Sequence, residues 1–494
     1  MNAVRRTVTP MRRLLCHLLP LLAATVLHAA PPVVRIEGDR LTVRAEQAPL
    51  RDILEQFAHA DVTVKLDPAI DVLITGSCRR TPMEEGLDAL LEPFSYVLFW
   101  ETVPGPLGTL PRLTEIQVFG QGGREAARPM LPDDGHFVVT RAPSGGPPFV
   151  ADEILLTVRA GVTLDAFRNL LAQIGGTVVG SVPDLGVYRV RLPAGTNVPD
   201  LLAQLARNDL LQEAQPNYVH QLPAPAAGEP AETGPARAAP APADGTPRLA
   251  ILDSGLRTGS EADGSVVSRL DALDPKRTLG DTAGHGTQMA LVAAGSVQPR
   301  GAPDSDEGVP LIAVRAFDDR GLTTDFSLMR GITHALKEGA RVINLSWGSE
   351  TDSGFVANAV AFAQFQGAVV VAAAGNEPTG RKLYPAAYEG VVAVAALDGQ
   401  GQPWKNSNHG DFVDVAAPGS ATMPLGYQGP PGSYAGTSIA SAYVAREIAL
   451  YLNRHPKAKA REAITAVQAA LSASFKGYGQ GTLDAAAVMR LRKN

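Results

Sequence analysis

The chain has 494 residues, of which 45% are hydrophobic and 19% are charged. A chain of this length predicts about three domains, and its low charge content excludes a largely disordered protein. The formal net charge of −6 includes no block of basic residues, which argues against nucleic-acid binding. Glycine (49 residues) and proline (39 residues) are too abundant for packed domains alone, so long connecting segments are expected.

Residues 1–30 have the pattern of a secretory signal peptide. Four arginines precede an apolar run at residues 14–27, which ends in Ala29-Ala30 and is too short to span a membrane. We therefore predict export to the periplasm, the cell envelope or the medium, with no membrane span after removal of the signal. A short buried helix is the alternative. Cleavage would remove Cys16 and leave Cys78 alone, so no internal disulfide is expected.

A small α+β domain is predicted at residues 33–101, where apolar residues follow first strand and then helix spacing. The segments PLRDILEQFA and TPMEEGLDALLEPFSYVLFW resemble the short N-terminal domain of secretins and TonB-dependent receptors. The resemblance implies a protein partner in the cell envelope, and an unrelated α+β domain is the alternative. Residues 102–150 are rich in glycine and proline and predict a connector with one strand at residues 115–119.

A second small α+β domain is predicted at residues 152–222, with the split β-α-β order of the ferredoxin-like type. A helix with Phe167, Leu170 and Leu171 on its apolar face ends at Gly175-Gly176, and strand-like alternation follows from residue 187. Of the next 25 residues, 223–247, 19 are proline, alanine or glycine. Such a segment cannot bury a core, so it predicts an extended linker.

From residue 248 to residue 494, apolar runs alternate with helical segments. Runs without polar alternation are typical of strands buried on both faces, which predicts an α/β domain with a doubly wound, mostly parallel sheet. Ligands of such a sheet bind at the carboxyl ends of its strands. The predicted strands are Leu249–Leu252, Leu311–Val314, Val342–Leu345, Val369–Ala373 and Val391–Ala395.

Four polar residues in this domain follow predicted strands or begin predicted helices: Asp253, His285, Asn376 and Ser438. Each alone has an ordinary structural interpretation as a turn, core or cap residue. Hydrolysis of an amide needs a nucleophile, a base, an acid that orients the base, and a donor for the oxyanion. Together the four residues supply all of these groups, so we predict an active site.

The order Asp, His, Ser, with the segments RVINLSWGS, SNHGDFVDVAAPG and GYGQGTLDAAAV, resembles the subtilase family of serine endopeptidases over residues 248–489. The resemblance implies a subtilisin-like fold, with Ser438 as nucleophile, His285 as general base and acid, and Asp253 orienting the imidazole. It also implies an oxyanion hole formed by Asn376 and the backbone N–H of Ser438. No Gly-x-Ser-x-Gly motif occurs, which sets aside an α/β-hydrolase.

The resemblance also implies where substrate binds. Ser346-Trp347-Gly348 would hold the substrate backbone as an added strand, opposite Ala373-Ala374-Gly375. For Trp347, a purely structural role in the core is the alternative. Leu383 stands where many subtilases have glycine, so we predict a shallow primary pocket for small or medium side chains. The chain departs from the family pattern at four further positions, which affects substrate range and helix packing: Gln288, Leu291, Ala442 and Arg446.

Residues 152–222, with the exit segment EAQPNYVHQL, resemble the inhibitory propeptide of subtilases. We therefore predict an intramolecular inhibitor whose last strand enters the cleft, and self-cleavage between about residues 220 and 248. The expected protein is an exported serine endopeptidase that acts on polypeptides without a cofactor. Many subtilases bind structural calcium, but no acidic loop here has ligand spacing, so no metal ligand is predicted. A silent or permanently inhibited envelope-binding protein and an esterase are the alternatives.

Overall fold

The computed structural model describes residues 4–7, 33–37, 40–59, 62–92, 94–120, 123–130, 137–223, 236–242, 245–275 and 277–493. Most of the predicted signal peptide (residues 1–3 and 8–30) and much of the predicted linker (residues 224–235 and 243–244) lie outside these ranges. The chain forms two compact units. The N-terminal unit comprises residues 1–140 and 150–217, and the C-terminal unit comprises residues 141–149 and 218–494.

Thirteen strands and four helices precede residue 222 in the described part of the chain. The strands are β1 (Val4–Thr7), β2 (Val33–Glu37), β3 (Arg40–Pro49), β4 (Thr63–Leu66), β5 (Leu73–Pro82), β6 (Ser95–Gly105), β7 (Gly108–Phe119), β8 (Arg128–Pro129), β9 (Val139–Thr140), β10 (Phe149–Val158), β11 (Thr177–Val182), β12 (Val187–Arg191) and β13 (Leu211–Gln221). The helices are α1 (Leu50–His59), α2 (Met83–Leu91), α3 (Leu164–Ile174) and α4 (Val198–Leu205).

The first half of the N-terminal unit contains a three-stranded sheet, β2-β3-β5, and a five-stranded sheet, β1-β6-β7-β4-β8. Strand β7 pairs with β6 from Gly108 to Phe119, so a regular hairpin extends into residues 102–150, where mainly a connector is predicted. The predicted strand at residues 115–119 is therefore too short. Strand β4 pairs with β7 only at Glu115–Val118, which leaves Pro111 at an edge of the described sheet, where a missing N–H is tolerated.

The second half of the N-terminal unit is a ferredoxin-like fold. Its strands have the order β11-β12-β10-β13, with helices α3 and α4 in the two crossover connections. Helix α3 begins where Thr163 accepts a hydrogen bond from the backbone of Ala166, and it ends at Gly175. Gly175 has a φ of 66°, a left-handed conformation that glycine adopts without steric cost and that commonly ends helices.

The C-terminal unit holds the remaining ten strands and six helices of the described chain. The strands are β14 (Arg248–Asp253), β15 (Val266–Asp271), β16 (Leu311–Arg315), β17 (Leu322–Thr324), β18 (Ala340–Leu345), β19 (Val369–Ala373), β20 (Val392–Leu397), β21 (Val415–Pro418), β22 (Ser420–Met423) and β23 (Gly432–Ala435). The helices are α5 (His285–Ala294), α6 (Asp325–Lys337), α7 (Gly354–Phe365), α8 (Thr437–Arg454), α9 (Ala460–Ala470) and α10 (Ala485–Lys493).

Seven parallel strands form the central sheet in the order β15-β16-β14-β18-β19-β20-β21. The α/β class with a doubly wound, mostly parallel sheet is therefore confirmed. The chain leaves β14 in one direction toward β16 and later returns to its other side as β18, so the strand order reverses at β14. A crevice forms at the carboxyl ends of the strands at such a point, and ligands bind there.

None of the helices in the described ranges is long and apolar enough to cross a membrane.

Candidate active site

The predicted acid and base meet at the reversal point of the sheet. Asp253 is the last residue of β14, and His285 is the first residue of α5. The Nδ1 of His285 donates to Oδ1 of Asp253 at 2.6 Å, and the backbone N–H of Ser254 donates to the same oxygen at 2.8 Å. Both side chains are buried. A buried carboxylate on Nδ1 fixes the tautomer and leaves Nε2 as the proton acceptor of the ring.

Asp281 connects the acid and the base, and the sequence analysis missed it. Its Oδ1 accepts from the Ser254 hydroxyl at 2.9 Å and from the Gly284 N–H at 2.8 Å. Its Oδ2 accepts from the Thr287 N–H and hydroxyl at 2.8 and 2.5 Å. This carboxylate therefore joins the turn that carries His285 to Ser254, the residue after Asp253. An aspartate just before the Ala-Gly-His turn was the available signal, since such residues bond to the backbone of nearby turns.

Ser438 is the second residue of helix α8, where the unpaired N–H groups and the helix dipole favour negative charge. Its hydroxyl donates to the Ser346 carbonyl oxygen at 2.8 Å. Strands β14 and β18 are neighbours, and their register brings the end of β14, with Asp253, level with Ser346. Among the described residues, no hydrogen bond joins Ser438 to His285. The Ser438 hydroxyl thus lies at the carboxyl ends of β14 and β18, where ligands of such a sheet bind, but it is hydrogen-bonded to the backbone.

The Asn376 amide is oriented by Thr437, which lies next to Ser438. Asn376 Oδ1 accepts from the Thr437 N–H at 3.0 Å and from its hydroxyl at 2.9 Å. The Thr437 hydroxyl in turn accepts from the Gly375 N–H at 3.1 Å. Because the amide oxygen is occupied in this way, the NH₂ group of Asn376 is the part that can donate a hydrogen bond to a substrate. Thr437 is a second residue that the sequence analysis missed.

A buried polar network lies beneath Ser438. The Asn344 amide donates to the Ser346 hydroxyl at 2.6 Å, and that hydroxyl lies 3.3 Å from the Ser441 hydroxyl. Ser441 donates to the Ser438 carbonyl at 3.0 Å. These bonds fix the end of β18 to the first turn of α8. Polar residues inside the apolar run VINLS were the signal for this network, because buried polar groups are normally hydrogen-bonded.

The two predicted substrate-binding edges, Ser346–Gly348 and Ala373–Gly375, follow the neighbouring parallel strands β18 and β19. The Trp347 side chain is buried and its ring packs against Phe317 at 5.9 Å between centroids, so the backbone of Trp347, and not its side chain, is suited to form the hydrogen bonds of an added strand. Leu383 lies between the edges: a Cβ on Gly348 would be 3.3 Å from its Cβ, and a Cβ on Gly375 would collide with its Cδ1.

Residues 218–223, here named the exit strand, lie in the C-terminal unit beside this site. The exit strand pairs antiparallel with β17, where His220 lies opposite Thr323. Three residues later, the Pro223 carbonyl accepts a hydrogen bond from the Tyr427 hydroxyl at 2.5 Å. The Tyr427 ring lies 4.8 Å from the His285 ring. Burial raises the pKa of Tyr427, so its hydroxyl stays protonated and remains a donor at neutral pH.

Gln288, one of the departures from the family pattern, supports the loop that carries Tyr427. Its side chain is buried, and its amide donates to the Leu425 carbonyl at 2.9 Å. The Gln428 N–H donates to the Ala283 carbonyl at 3.0 Å from the other side of Tyr427. Tyr427 and this loop were not predicted, because no local sequence pattern relates them to residues about 140 positions earlier in the chain.

Arg446, another departure, is buried at the interior of helix α8 and donates to the Glu307 carbonyl. Burial lowers the pKa of its guanidinium. Gly295, with a φ of 84°, leaves the space that this side chain occupies. The arginine at position 446 therefore changes the packing of helix α8 against Gly295 and Glu307, which are not among the predicted site residues. Across the residues that the structure describes, no three His, Cys, Asp or Glu side chains form a group that could hold a metal ion.

A doubly wound parallel sheet with a buried Asp–His pair and a serine at a helix N-terminus defines a serine protease of the subtilisin-like class. Comparison with known proteins supports this assignment. The subtilase family matches residues 215–487, more than half of the chain, and the chain therefore belongs to the subtilase family. The fervidolysin N-terminal prodomain matches residues 138–217, so the protease carries an N-terminal prodomain.

Individual relatives agree with the family assignment. The thermophilic serine proteinase of Bacillus sp. (strain AK1) is 32% identical over 320 residues, which are 61% of this chain and 78% of that protein. Thermitase of Thermoactinomyces vulgaris is 36% identical over 203 residues, 40% of this chain and 72% of that protein. Fervidolysin from Fervidobacterium pennivorans, described as a keratinolytic enzyme, has a similar fold, with a TM-score of 0.58 and 23% identity over 73% of this chain and 64% of the other.

Proposed function

We propose that the protein is an exported serine endopeptidase that cuts peptide bonds through Asp253, His285 and Ser438, and that it is made as an inhibited precursor that processes itself. The observation that carries this proposal is the buried His285–Asp253 hydrogen bond of 2.6 Å at the carboxyl end of β14, beside the helix N-terminus of Ser438. The proposed chemistry requires no cofactor.

In the proposed mechanism, Ser438 releases the Ser346 carbonyl and presents its hydroxyl to Nε2 of His285. The imidazole takes the proton as Oγ attacks the substrate carbonyl carbon, and Asp253 stabilises the resulting imidazolium. The Asn376 NH₂ group and the Ser438 N–H hold the oxyanion. His285 then protonates the departing amine as the C–N bond breaks. Water hydrolyses the acyl-enzyme by the same proton transfers in reverse, which regenerates the Ser438 hydroxyl.

The exit strand supports the proposed inhibition. The exit strand is bound as an added strand on β17, which is how peptide substrates of this type bind, and its His220 ring lies 5.2 Å from the ring of Trp347 in the predicted substrate edge. The strand leads to Tyr427 and His285, and the chain then enters the Pro/Ala-rich residues 223–247, which are suited to cleavage. We therefore propose self-cleavage between residues 220 and 248, much of which lies outside the described ranges, followed by release of the prodomain.

The signal pattern of residues 1–30 supports export, as does the minor extracellular protease Epr of Bacillus subtilis, which is 31% identical over 210 residues, 42% of this chain and 32% of that protein. For the domain that begins at residue 33, we propose docking to a cell-envelope protein, on the basis of its resemblance to the short N-terminal domain of secretins and TonB-dependent receptors. Its folded part extends through strand β7 and thus beyond the predicted boundary at residue 101.

Labelling with a fluorophosphonate tests the proposed function. We expect the wild-type protein to be labelled and to run on a denaturing gel at a smaller mass than its precursor. Ser438→Ala should be unlabelled and remain full length, because no other residue replaces the nucleophile. Ser433→Ala, five residues earlier in β23, serves as a matched control and should behave as wild type.

Two results would contradict the proposal. Equal masses for the wild type and Ser438→Ala would exclude self-processing. A wild-type protein that stays unlabelled after removal of its prodomain would favour a silent, envelope-binding protein.

A further inference from the structure

His220 and Asp325 form a buried hydrogen-bonded pair outside the proposed triad. The His220 Nε2 lies 2.5 Å from Oδ1 of Asp325, and the two residues are 3% and 0% exposed. The other carboxylate oxygen accepts from the Ser353 hydroxyl at 2.6 Å. A carboxylate buried to this degree is costly unless each oxygen has a partner. His220 supplies one of the two partners, and it lies on the exit strand.

The pocket around His220 is built by the protease part of the chain. Asp325 is the first residue of α6, directly after β17, with which the exit strand pairs. The Trp347 ring lies 5.2 Å from the His220 ring, and Phe317 supports Trp347 from behind. The pocket therefore has an aromatic wall, formed by Trp347 of one predicted substrate edge, and an acidic end, formed by Asp325.

We propose that Asp325 is a specificity-determining residue, and that its pocket selects a basic side chain, with histidine preferred, upstream of the bond that is cut. This inference rests on the proposed function. The direction follows from the exit strand, which runs from His220 to Pro223 and so toward Tyr427 and His285. A substrate on the same path places its pocket residue on the amino-terminal side of the scissile bond.

The physical basis of the selection is that Asp325 loses one of its two hydrogen-bond partners, His220, when the exit strand leaves. A substrate with leucine in the pocket would bury the carboxylate without its second partner, and glutamate would add a like charge. Histidine restores the observed hydrogen bond and packs on Trp347, while lysine or arginine restores the donor but fills the aromatic slot less well. An amide such as glutamine offers a donor without charge.

Peptide kinetics with the processed wild-type enzyme test this inference. The substrates form a positional series in which each of the four residues before the cleaved bond is in turn histidine, lysine, glutamine, leucine or glutamate. At one upstream position we expect kcat/KM to be at least tenfold higher for histidine than for leucine, in the range typical of buried charged pairs. Asp325→Asn should reduce that ratio to threefold or less, because the charge is lost while the shape is kept.

Asp319→Asn is the matched control, since Asp319 lies on the turn between β16 and β17 and its carboxylate accepts from Thr282 and Arg315 rather than from a pocket residue. It should leave the ratio unchanged. Each ratio is taken within one enzyme preparation, so a variant that folds less well still reports its preference. The inference is overturned if no upstream position prefers a basic residue, or if Asp325→Asn keeps the preference.

Hydrogen exchange provides a second test that does not require activity. In full-length Ser438→Ala protein, we expect Asp325→Asn or His220→Ala to speed amide exchange of residues 219–221 at least tenfold, and Asp319→Asn to have no such effect. Unchanged exchange in both pocket variants would overturn the inference. An enzyme that is labelled by the fluorophosphonate and cuts peptides without a basic preference contradicts only the proposed pocket specificity. An unlabelled enzyme contradicts the proposed function, and hydrogen exchange then decides whether the pocket holds His220 as inferred.

Discussion

Among the proposed catalytic residues, Ser438 is the one whose hydrogen bonding differs most from what the proposed mechanism requires. It donates to the Ser346 backbone, while His285 is already fixed by Asp253. The proposed mechanism requires the Ser438 hydroxyl to turn from Ser346 toward His285, while Asp281 and the Thr437–Asn376 bonds already fix the groups around it. The proposed active site is therefore preorganised in these parts, and the hydroxyl of Ser438 differs from them, as is common when no substrate is bound.

At the residue scale, we predict that Asn376→Ala lowers kcat by about 10²–10³-fold, with little change in KM, because the lost donor acts on the oxyanion alone. That magnitude comes from a subtilisin, a member of the same family, and is borrowed from it. Thr437→Val should cause a smaller loss, since it removes one of the two bonds that orient the amide. Steady-state kinetics on a peptide anilide measures both variants. A main effect on KM would contradict the oxyanion role.

Asp414 gives a prediction about pH. Its carboxylate accepts from the Ala393 N–H at 2.9 Å, and burial raises its pKa above the usual range. A carboxyl group whose pKa is higher in the folded state loses stabilisation as pH rises through that pKa. Asp414→Asn should therefore raise the melting temperature at pH 7, with a gain that shrinks toward pH 4.

Thermal melts in the Ser438→Ala background measure this effect without self-digestion. Asp411→Asn, an exposed neighbour, serves as control. A lower melting temperature for Asp414→Asn than for the wild type at pH 7 would show that the charged carboxylate stabilises the fold, which contradicts the prediction.

At the scale of elements, Leu383 separates the segments that follow β18 and β19. The next residue, Tyr384, exchanges two backbone hydrogen bonds with Ser349, which fixes the position of the leucine. We predict that Leu383→Gly deepens the primary pocket and raises kcat/KM for phenylalanine relative to alanine at the cleaved residue by at least tenfold. Leu383→Ala should fall between. Wild-type enzyme that already strongly prefers phenylalanine or tyrosine would contradict the shallow pocket.

The elements that the sequence predicted well are those set by local physics. The apolar run Val342–Leu345 appears as strand β18, because a strand covered on both faces needs no polar alternation. Helix α3 ends at its glycine as expected. The length of strand β7 was underestimated, since Pro111 within it and the surrounding glycines and prolines are typical of a connector. The pocket of Asp325 could not be predicted, because its partner lies 105 residues away and only the pairing of β13 with β17 joins them.

The organisation of the whole molecule differs in one respect from a simple series of domains. The predicted propeptide ends at residue 222, but the last boundary between the two compact units falls after Asn217, within strand β13. One strand thus begins in one unit and ends in the other. Sequence pattern alone could not locate this division, because residues 211–221 form one uninterrupted strand and only tertiary pairing assigns their last part to the protease.

This shared strand has a consequence for the timing of activation. While the chain is intact, the exit strand is held near β17 at an effective concentration of about millimolar, whatever the amount of protein present. The proposed cleavage of the linker would make the same contact bimolecular, so that the fraction of free enzyme would then rise with dilution. Processed protein would therefore stay inhibited where it is concentrated and become active where it is dilute.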